Sequence, residues 1–267
     1  LLCLELTDPG FDHTVLSEFR CRLVNAKAER HIFDQLLQFC QGKGWLKARG
    51  RQRTDATHVL AAIRAVTRLE CVGETLRAAL NALAVAAPDW TIVHSQPEWI
   101  DRYSERIEDY HLPKSKAQRT AQAEVYGRDG LALLRAIFDH AGSPAWLRQI
   151  PAVETLRRIW IQQYYCENAN IRWRTQAEVP PASIMLSSPY EPDAHYAKKH
   201  TTSWVGYKVH VSETCEPQEL HLITNVEISP APVADGDMTK SIHQSLDNNH
   251  LLPSKHIVDT GYLDAEL

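Results

Sequence analysis

Apolar side chains recur at helical intervals in the first forty residues of the chain. They are spaced three and four apart, a period typical of an amphipathic helix, and the tripeptide NAK at 25–27 offers a break. The pattern therefore predicts two N-terminal helices. The apolar positions are Val15, Leu16, Phe19, Leu23, Ile32, Phe33, Leu36, Leu37 and Phe39.

Helical spacing resumes after a basic connector, QGKGWLKARGRQR. A three-to-four period from Val59 through Ile63 to Leu69 predicts a helix that starts near Thr57, with an interruption at Gly73. The later segments PEWIDRY, GLALLRAIFDHAG and PAVETLRRIWIQQYY have the same spacing, and two of them carry a proline suited to a first helical turn. Together they predict a helical block of five or six elements.

The period changes in the last quarter of the chain. WVGYKVHV at 204–211 and ELHLITNVEI at 219–228 are rich in β-branched residues and partly alternate, which predicts an antiparallel hairpin. DGDMTKSIHQSLDNNH then predicts a helix, and KHIVD predicts a short buried strand that ends at TGY. This α/β order leaves the carboxyl end of the last strand open to ligands.

Composition excludes several classes of protein. Of 267 residues 44% are hydrophobic, yet no apolar run reaches the roughly 18 to 20 residues of a membrane span. Six cysteines form no CxxC pair, so we expect reduced thiols in a cytoplasmic protein without a membrane partner. The opening LLCLEL lacks the basic region of a secretory signal. Because the sequence starts with Leu and stops where a helix could begin, we interpret it as a fragment.

Charge is unevenly distributed along the chain. The net charge of -4 argues against a protein whose whole surface binds nucleic acid, since Lys and Arg supply most non-specific affinity. Residues 43–77, however, carry eight Lys or Arg against three acids, and residues 89–109 carry six acids against two arginines. Each cluster is either an ordinary solvated surface or a contact region, and the sequence leaves both readings open.

Two aspartates are candidates for chemistry. Asp259 directly follows the apolar strand residues Ile257 and Val258, where a carboxylate would be exposed, but an Asp before Gly is also typical of a β-turn. Asp55 is either the N-cap of the helix expected near Thr57 or a metal ligand. Capping would leave the three neighbouring arginines without a role.

Several segments closely resemble the DDE transposases of bacterial insertion sequences. They are RTDATHVLAAIR, WVGYKVHVSETCEPQELHLIT and HIVDTGY, together with LELTDPGFDHTVLSEFRCRL and SPYEPDAHYAKKHTTSW. The resemblance covers nearly the whole chain and is closest to the branch with an Arg-Thr-Asp-Ser-Thr-His segment and a Gly-Tyr-Lys-x-His strand. Two departures are Ala56, where that branch has Ser, and His195, where it mostly has Arg.

The resemblance implies an α/β fold with a partial ribonuclease H-like catalytic core, a large helical insertion and an N-terminal helical region. The implied ranges are 1–48 for the N-terminal helices, 49–69 for the first-aspartate segment, 70–190 for the insertion and 191–267 for the hairpin, helix and second-aspartate strand. In this family three carboxylates hold two divalent ions. The match makes Asp55 the first and Asp259 the second, both catalytic and metal-binding. Glu266 comes too soon to be the third, which we expect outside this sequence.

Two Mg²⁺ ions fit the implied chemistry. Phosphodiester cleavage by water or a 3′-hydroxyl builds charge on the phosphoryl and leaving oxygens, and two cations about 4 Å apart neutralise it. Mg²⁺ prefers carboxylate oxygens and retains waters, so a few acidic side chains suffice. We expect Mn²⁺ to substitute for Mg²⁺.

Basic residues beside the two segments are candidate DNA contacts, with ordinary surface charge as the alternative. Lys208 and His210 alternate on one strand and would share a face, directed either toward DNA phosphates or toward solvent. The expected partners are element-end and target DNA and further copies of the chain. The candidate contacts are Arg49, Arg51, Arg53, Lys198, Lys199, Lys208 and His210.

Three functions remain open from the sequence. The first is a DNA transposase that cleaves and transfers strands with Mg²⁺, of which this fragment alone is expected to be inactive. The second is an inactive transposase remnant that at most binds DNA or a partner. The third is a different metal-dependent nuclease, which would nick DNA and join nothing.

Overall fold

The structure is a computed structural model that describes residue 10 and residues 12–62, 66–167, 170–199 and 201–263. Ile63, Glu266 and most of the segment LELTDPG lie outside these residues. The α-helices are α1 (His13–Ala26), α2 (Glu29–Gly42), α3 (Arg68–Ala86), α4 (Pro88–His94), α5 (Pro97–Tyr103), α6 (Lys116–Phe138), α7 (Pro151–Gln163) and α8 (Thr239–Asn248). The strands are β1 (Arg51–Leu60), β2 (Tyr164–Glu167), β3 (Asn170–Trp173), β4 (His195–Lys199), β5 (Thr202–Thr214), β6 (Ile223–Pro230) and β7 (Lys255–Val258).

The main sheet is mixed. Its order is β4-β5-β1-β7, and β6 also pairs with β5. β1 and β7 are parallel, whereas β4 and β5 are antiparallel. A separate two-stranded antiparallel sheet joins β2 and β3. The α/β class expected from the sequence is therefore confirmed at the level of a mixed α/β chain with a mixed sheet.

Most of the predicted elements are present. The two N-terminal helices, the helices that begin at Pro97 and Pro151, the hairpin strands β5 and β6, and the strand before TGY all occur. Ile242 and Leu246 of α8 are buried as expected from their spacing. Residues 130–138 of the segment GLALLRAIFDHAG form the C-terminal part of the longer α6, which begins at Lys116 after the N-cap Ser115.

The prediction of a helix that starts near Thr57 is wrong. Val59 and Leu60 belong to strand β1, and the helix begins only at Arg68, where Thr67 and Glu70 form a capping box. Pairing with β5 on one edge and β7 on the other supplies β1 with backbone hydrogen bonds, and this tertiary context overrides a short helical period.

Gly73 does not interrupt a helix, contrary to the sequence-based expectation. It lies inside the continuous α3, and a Cβ at this position would come within 2.6 Å of the Ile107 Cδ1 atom. Glycine is therefore required for close packing rather than for a break. α3 is buried in an apolar core that includes Leu76, Leu133 and Ile159.

The chain divides into two compact units. The first contains the described residues up to Asp55, residues 210–227 and the described residues from Asp235 onward. The second contains the described residues of 56–209 and residues 228–234. The domain ranges implied by the resemblance stay a prediction. No helix in the described part of the chain is both long and apolar enough for a membrane crossing.

Candidate functional site

Asp55 is a strand residue and not a helix cap. It is the fifth residue of β1, whose burial alternates, so that Gln52 and Thr54 are buried while Arg53 and Asp55 are exposed. Side chains alternate across a strand, and Asp55 therefore shares a face with Arg53 and Arg51. The N-cap interpretation is wrong because no helix begins here.

The parallel pairing of β1 and β7 brings the two candidate aspartates together. The register runs from Arg51 opposite Lys255 to Thr54 opposite Val258. Asp55 and Asp259 are each the next residue after the last pair, and neighbouring strands lie about 4.8 Å apart. Both aspartates are exposed. Two carboxylates separated by more than two hundred residues of sequence thus end side by side within the first unit.

Asp259 also has the turn role expected from its position before Gly. Its Oδ1 atom accepts a 3.0 Å hydrogen bond from the Gly261 backbone N–H and caps the short 3₁₀ turn of residues 260–262. The turn and ligand interpretations are compatible, because capping uses only one of the two carboxylate oxygens. The turn also fixes the orientation of the side chain at the end of β7.

Asp235 is a third carboxylate at this place that sequence reasoning missed. A Cβ on Gly261 would lie 3.1 Å from Asp259 Oδ1 and 3.3 Å from Asp235 Oδ2, so both oxygens are near the same point. Asp235 precedes the 3₁₀ turn that leads into α8. Nothing in the sequence indicates this proximity, because it depends on how the turn after β7 meets the turn before α8.

Tyr262 is buried and lies close to the three carboxylates. Burial, followed by the charges of Asp235, Asp55 and Asp259, raises the pKa of the Tyr262 hydroxyl, which therefore stays protonated at neutral pH. The hydroxyl is joined to His210 Nδ1 by a 2.6 Å hydrogen bond. Tyr262, with an uncharged hydroxyl bonded to the buried His210, thus lies beside the acidic cluster.

Lys208 and His210 share a face of β5 as expected, but that face is buried. Lys208 is 8% exposed and His210 is fully buried. The solvent-facing interpretation of these two residues is therefore wrong. A contact with DNA stays a prediction for both, and for His210 the observed role is support of Tyr262 from the interior.

Of the three arginines near Asp55, Arg53 has an acidic side-chain partner that is distant in sequence. Arg53 forms a 2.5 Å ion pair with Glu213 of β5. The Arg51 backbone N–H donates to Glu216, while Arg49 is exposed in a left-handed backbone conformation (φ 61°). The local excess of positive charge read from residues 43–77 is thus partly offset by acids of the β5–β6 connection.

Lys198 and Lys199 are exposed at the end of β4, in the second unit. Their exposure is compatible with a DNA contact and equally with ordinary surface charge. For these two lysines, as for Arg49, Arg51 and Arg53, the DNA contact stays a prediction.

A buried polar network fixes the strands behind Asp55. Thr54 Oγ1 is hydrogen bonded to Ser212 Oγ at 2.6 Å and to His256 Nε2 at 2.7 Å. The other nitrogen of His256 is 2.8 Å from His243 Nε2 on α8. The network ties β5, β1, β7 and α8 together at the position next to the aspartates, and we expect it to hold their register.

This network predicts a pH-dependent stability. Burial, together with the neighbouring His243, lowers the pKa of His256 from 6.5 to about 4. Between these values the unfolded chain binds a proton that the folded chain does not, so the free energy of unfolding should fall as the pH drops from 6.5 to 4 and stay level above 6.5. Allowing for partial exposure of the ring, we expect a loss of about 2 kcal/mol.

Urea denaturation of the wild type and of His256→Gln at several pH values measures the effect. The variant should lack the part of the pH dependence that lies between 4 and 6.5. His221→Gln, at an exposed histidine of the same unit, should behave as the wild type. Equal slopes for the wild type and His256→Gln would contradict the assignment.

The donor set at the site suits a hard cation. Mg²⁺ is commonly held by one or two carboxylates, with waters and substrate phosphate oxygens completing its coordination. Asp55 and Asp259 are exposed side by side and meet this requirement. The described residues contain no group of three or more His, Cys, Asp or Glu side chains arranged to hold a metal ion. A magnesium site at Asp55 and Asp259 therefore stays a prediction.

Comparison with known proteins does not identify a relative. No protein-family model, no curated protein and no solved structure matches the chain.

Proposed function

We propose that this chain is part of a DNA transposase that cleaves and joins phosphodiester bonds with the help of Mg²⁺. Asp55 and Asp259 are the proposed metal-binding catalytic carboxylates. The proposal rests on the resemblance of the motif segments and on one structural observation, the parallel register that makes Asp55 and Asp259 neighbours. Had the helix expected near Thr57 existed, Asp55 would have been at a helix start instead.

The charge around the two aspartates supports a phosphate substrate. On the same face of the paired strands, Arg51 lies opposite Lys255, and Arg53, which is paired with Glu213, lies two positions closer to Asp55. A scissile phosphate placed at the carboxylates would thus have cations along its flank, which would orient the DNA backbone. Bound Mg²⁺ would supply charge neutralisation at the reacting phosphate.

The residues beneath the site would keep it rigid. The protonated Tyr262 hydroxyl, held by His210, would fill the space under the carboxylates without adding a charge. The network through Thr54 and His256 would maintain the strand pairing on which the distance between the aspartates depends. Small errors of position in such a site have large effects on rate.

The ribonuclease H-like core is part of the proposal. The hairpin strands β5 and β6, followed by α8 and by a strand that runs parallel to β1, are compatible with such a core. The helices α3 to α7, between β1 and β4, would then be the helical insertion.

A second candidate function is a DNA-binding module without catalysis. It is favoured by the absence, among the described residues, of a metal-holding group of three or more acidic, His or Cys side chains. Both candidates predict DNA binding, and only the first predicts cleavage.

A strand-transfer assay separates these functions. The protein that carries this chain would be incubated with Mg²⁺ and labelled duplexes containing either the ends of its element or random sequence. We expect strand joining that depends on the element ends. Nicked products without joining would indicate a simple nuclease, and binding without either product would indicate the non-catalytic module.

A further inference from the structure

The second unit contains a positively charged pocket apart from the aspartates. It has a volume of about 590 Å³, and none of its lining residues is acidic. Five of the lining residues are basic and one is a tryptophan. They are Arg68, Lys114, Lys116, Arg119, Arg174 and Trp173.

Two helix starts meet at this pocket. Arg68 is the first residue of α3 and Lys116 is the first residue of α6, and both line the pocket. Because the N-terminus of a helix carries a partial positive charge, a cation there is locally unfavourable. α6 has no acidic residue in its first turn, whereas α3 has Glu70, which forms a capping box with Thr67. Positive charge is thus concentrated at a helix N-terminus, where negative charge is favoured. A bound anion would reduce the resulting electrostatic repulsion.

Arg68 is held in place by neutral acceptors. Its guanidinium donates to Gln163 Oε1 at 2.8 Å and to the Arg174 carbonyl oxygen at 3.0 Å, and it stacks on the Trp173 ring at 4.4 Å. Burial lowers the pKa of Arg68, because desolvation disfavours its charged form. Neutral acceptors orient this charge without cancelling it.

The other pocket cations are only partly compensated. Arg119 pairs with Asp109 at 2.5 Å, whereas Arg174 donates to the Tyr164 carbonyl oxygen at 3.0 Å. Lys114 and Lys116 are exposed, and no ion pair to either is recorded among the described residues. The pocket therefore presents a net positive surface with one orienting ion pair.

We propose that this pocket binds the phosphodiester backbone of DNA. Its cations come from three separate segments, at the starts of α3 and α6 and just after β3, so that successive phosphates of one strand would satisfy more of them than a single phosphate. The choice of DNA rather than a small phosphate compound rests on the proposed transposase function. The pocket is a holding site for the DNA and takes no part in the chemistry at Asp55 and Asp259.

Removal of the two exposed lysine charges tests the pocket. DNA affinity of the full chain would be measured without divalent metal, over a range of salt concentrations, for the wild type and for the double variant Lys114→Gln with Lys116→Gln. We expect binding about 10-fold or more weaker near 0.1 M salt. The slope of log affinity against log salt should be smaller by about 2, since each lost phosphate contact removes roughly 0.9.

A matched control removes two exposed charges of the same unit outside the pocket, with Arg135→Gln and Arg158→Gln. It should keep most of the affinity and slope. An equal loss in both double variants would overturn the proposal, because net charge alone would explain it. Binding of tripolyphosphate by the pocket, with unchanged DNA affinity in the lysine variant, would also overturn it in favour of a small anion.

The proposal for the pocket and the proposal for the active site can be tested separately. Asp55→Asn should keep DNA affinity in the absence of metal and lose the response to Mg²⁺. The lysine variant should lose DNA affinity and keep the response to Mg²⁺. DNA affinity that is unchanged in the lysine variant, together with normal strand transfer, would reject the pocket and leave the transposase proposal standing.

Discussion

Under the proposed function, replacement of Asp55 or Asp259 by Asn is expected to reduce Mg²⁺-dependent DNA cleavage by roughly three orders of magnitude or more. Metal-assisted charge neutralisation contributes several kcal/mol to the transition state, and each 1.4 kcal/mol corresponds to about a tenfold change in rate. Steady-state cleavage of labelled element-end DNA measures the loss. DNA affinity without metal should remain nearly unchanged.

A second measurement needs no catalysis. Mg²⁺ that binds between neighbouring carboxylates should stabilise the folded chain, because it binds the native state and relieves repulsion between like charges. Thermal unfolding of this chain in millimolar Mg²⁺ should therefore show a higher Tm for the wild type and no increase for Asp55→Asn or Asp259→Asn. Asp247→Asn removes the same charge at an exposed position of α8 and should keep the increase.

Retained cleavage in either variant would remove that residue from the site. A Tm increase with Mg²⁺ that persists in both variants would place the cation elsewhere. If the wild type responds to Mg²⁺ but never cleaves, the non-catalytic module becomes the better description.

Gly206→Ala is expected to cause the largest loss of stability. Gly206 lies in β5 with φ 151°, and a Cβ there would come within 2.2 Å of the Val59 carbonyl oxygen and 2.6 Å of the Ala61 nitrogen. Both obstructing atoms belong to the backbone, so no rotamer change relieves the clash. The substitution should cost about 3 kcal/mol or more, a large share of the typical stability of a domain.

Urea denaturation of Gly206→Ala measures this loss, and failure to obtain soluble protein would be its extreme form. Gly142→Ala serves as the control, because its Cβ would come no nearer than 3.2 Å to an atom of the His140 side chain. We expect a change below about 0.5 kcal/mol for the control, as for most surface substitutions. A similarly small effect for Gly206→Ala would show that β1 and β5 are not so closely apposed.

Sequence patterns were most informative where local periodicity and packing agree. α2 has a helical period with Leu37 buried, and α8 has Ile242 and Leu246 on one buried face. Proline at the first turn correctly located α5 and α7. These elements carry their own start signals and need little tertiary information.

The failures have a common physical cause. β1 has a helical apolar period over Val59 and Leu60, yet pairing with β5 holds it extended. Gly73 was expected to interrupt a helix, yet α3 continues through it, and Ile107 packs close to its backbone. In each case contacts with residues distant in sequence outweighed a local preference of about 1 kcal/mol.

The sequence by itself determined the mixed α/β class, most of the elements and the identity of two candidate aspartates. Only the tertiary structure decided that Asp55 lies on a strand in register with Asp259, that Asp235 lies close to Asp259, and that Arg53 pairs with Glu213. Helical period and capping act over a few residues and can be read from a sequence. Strand register and ion pairing join residues more than 150 positions apart, and the chain specifies them only through the packing of the folded state.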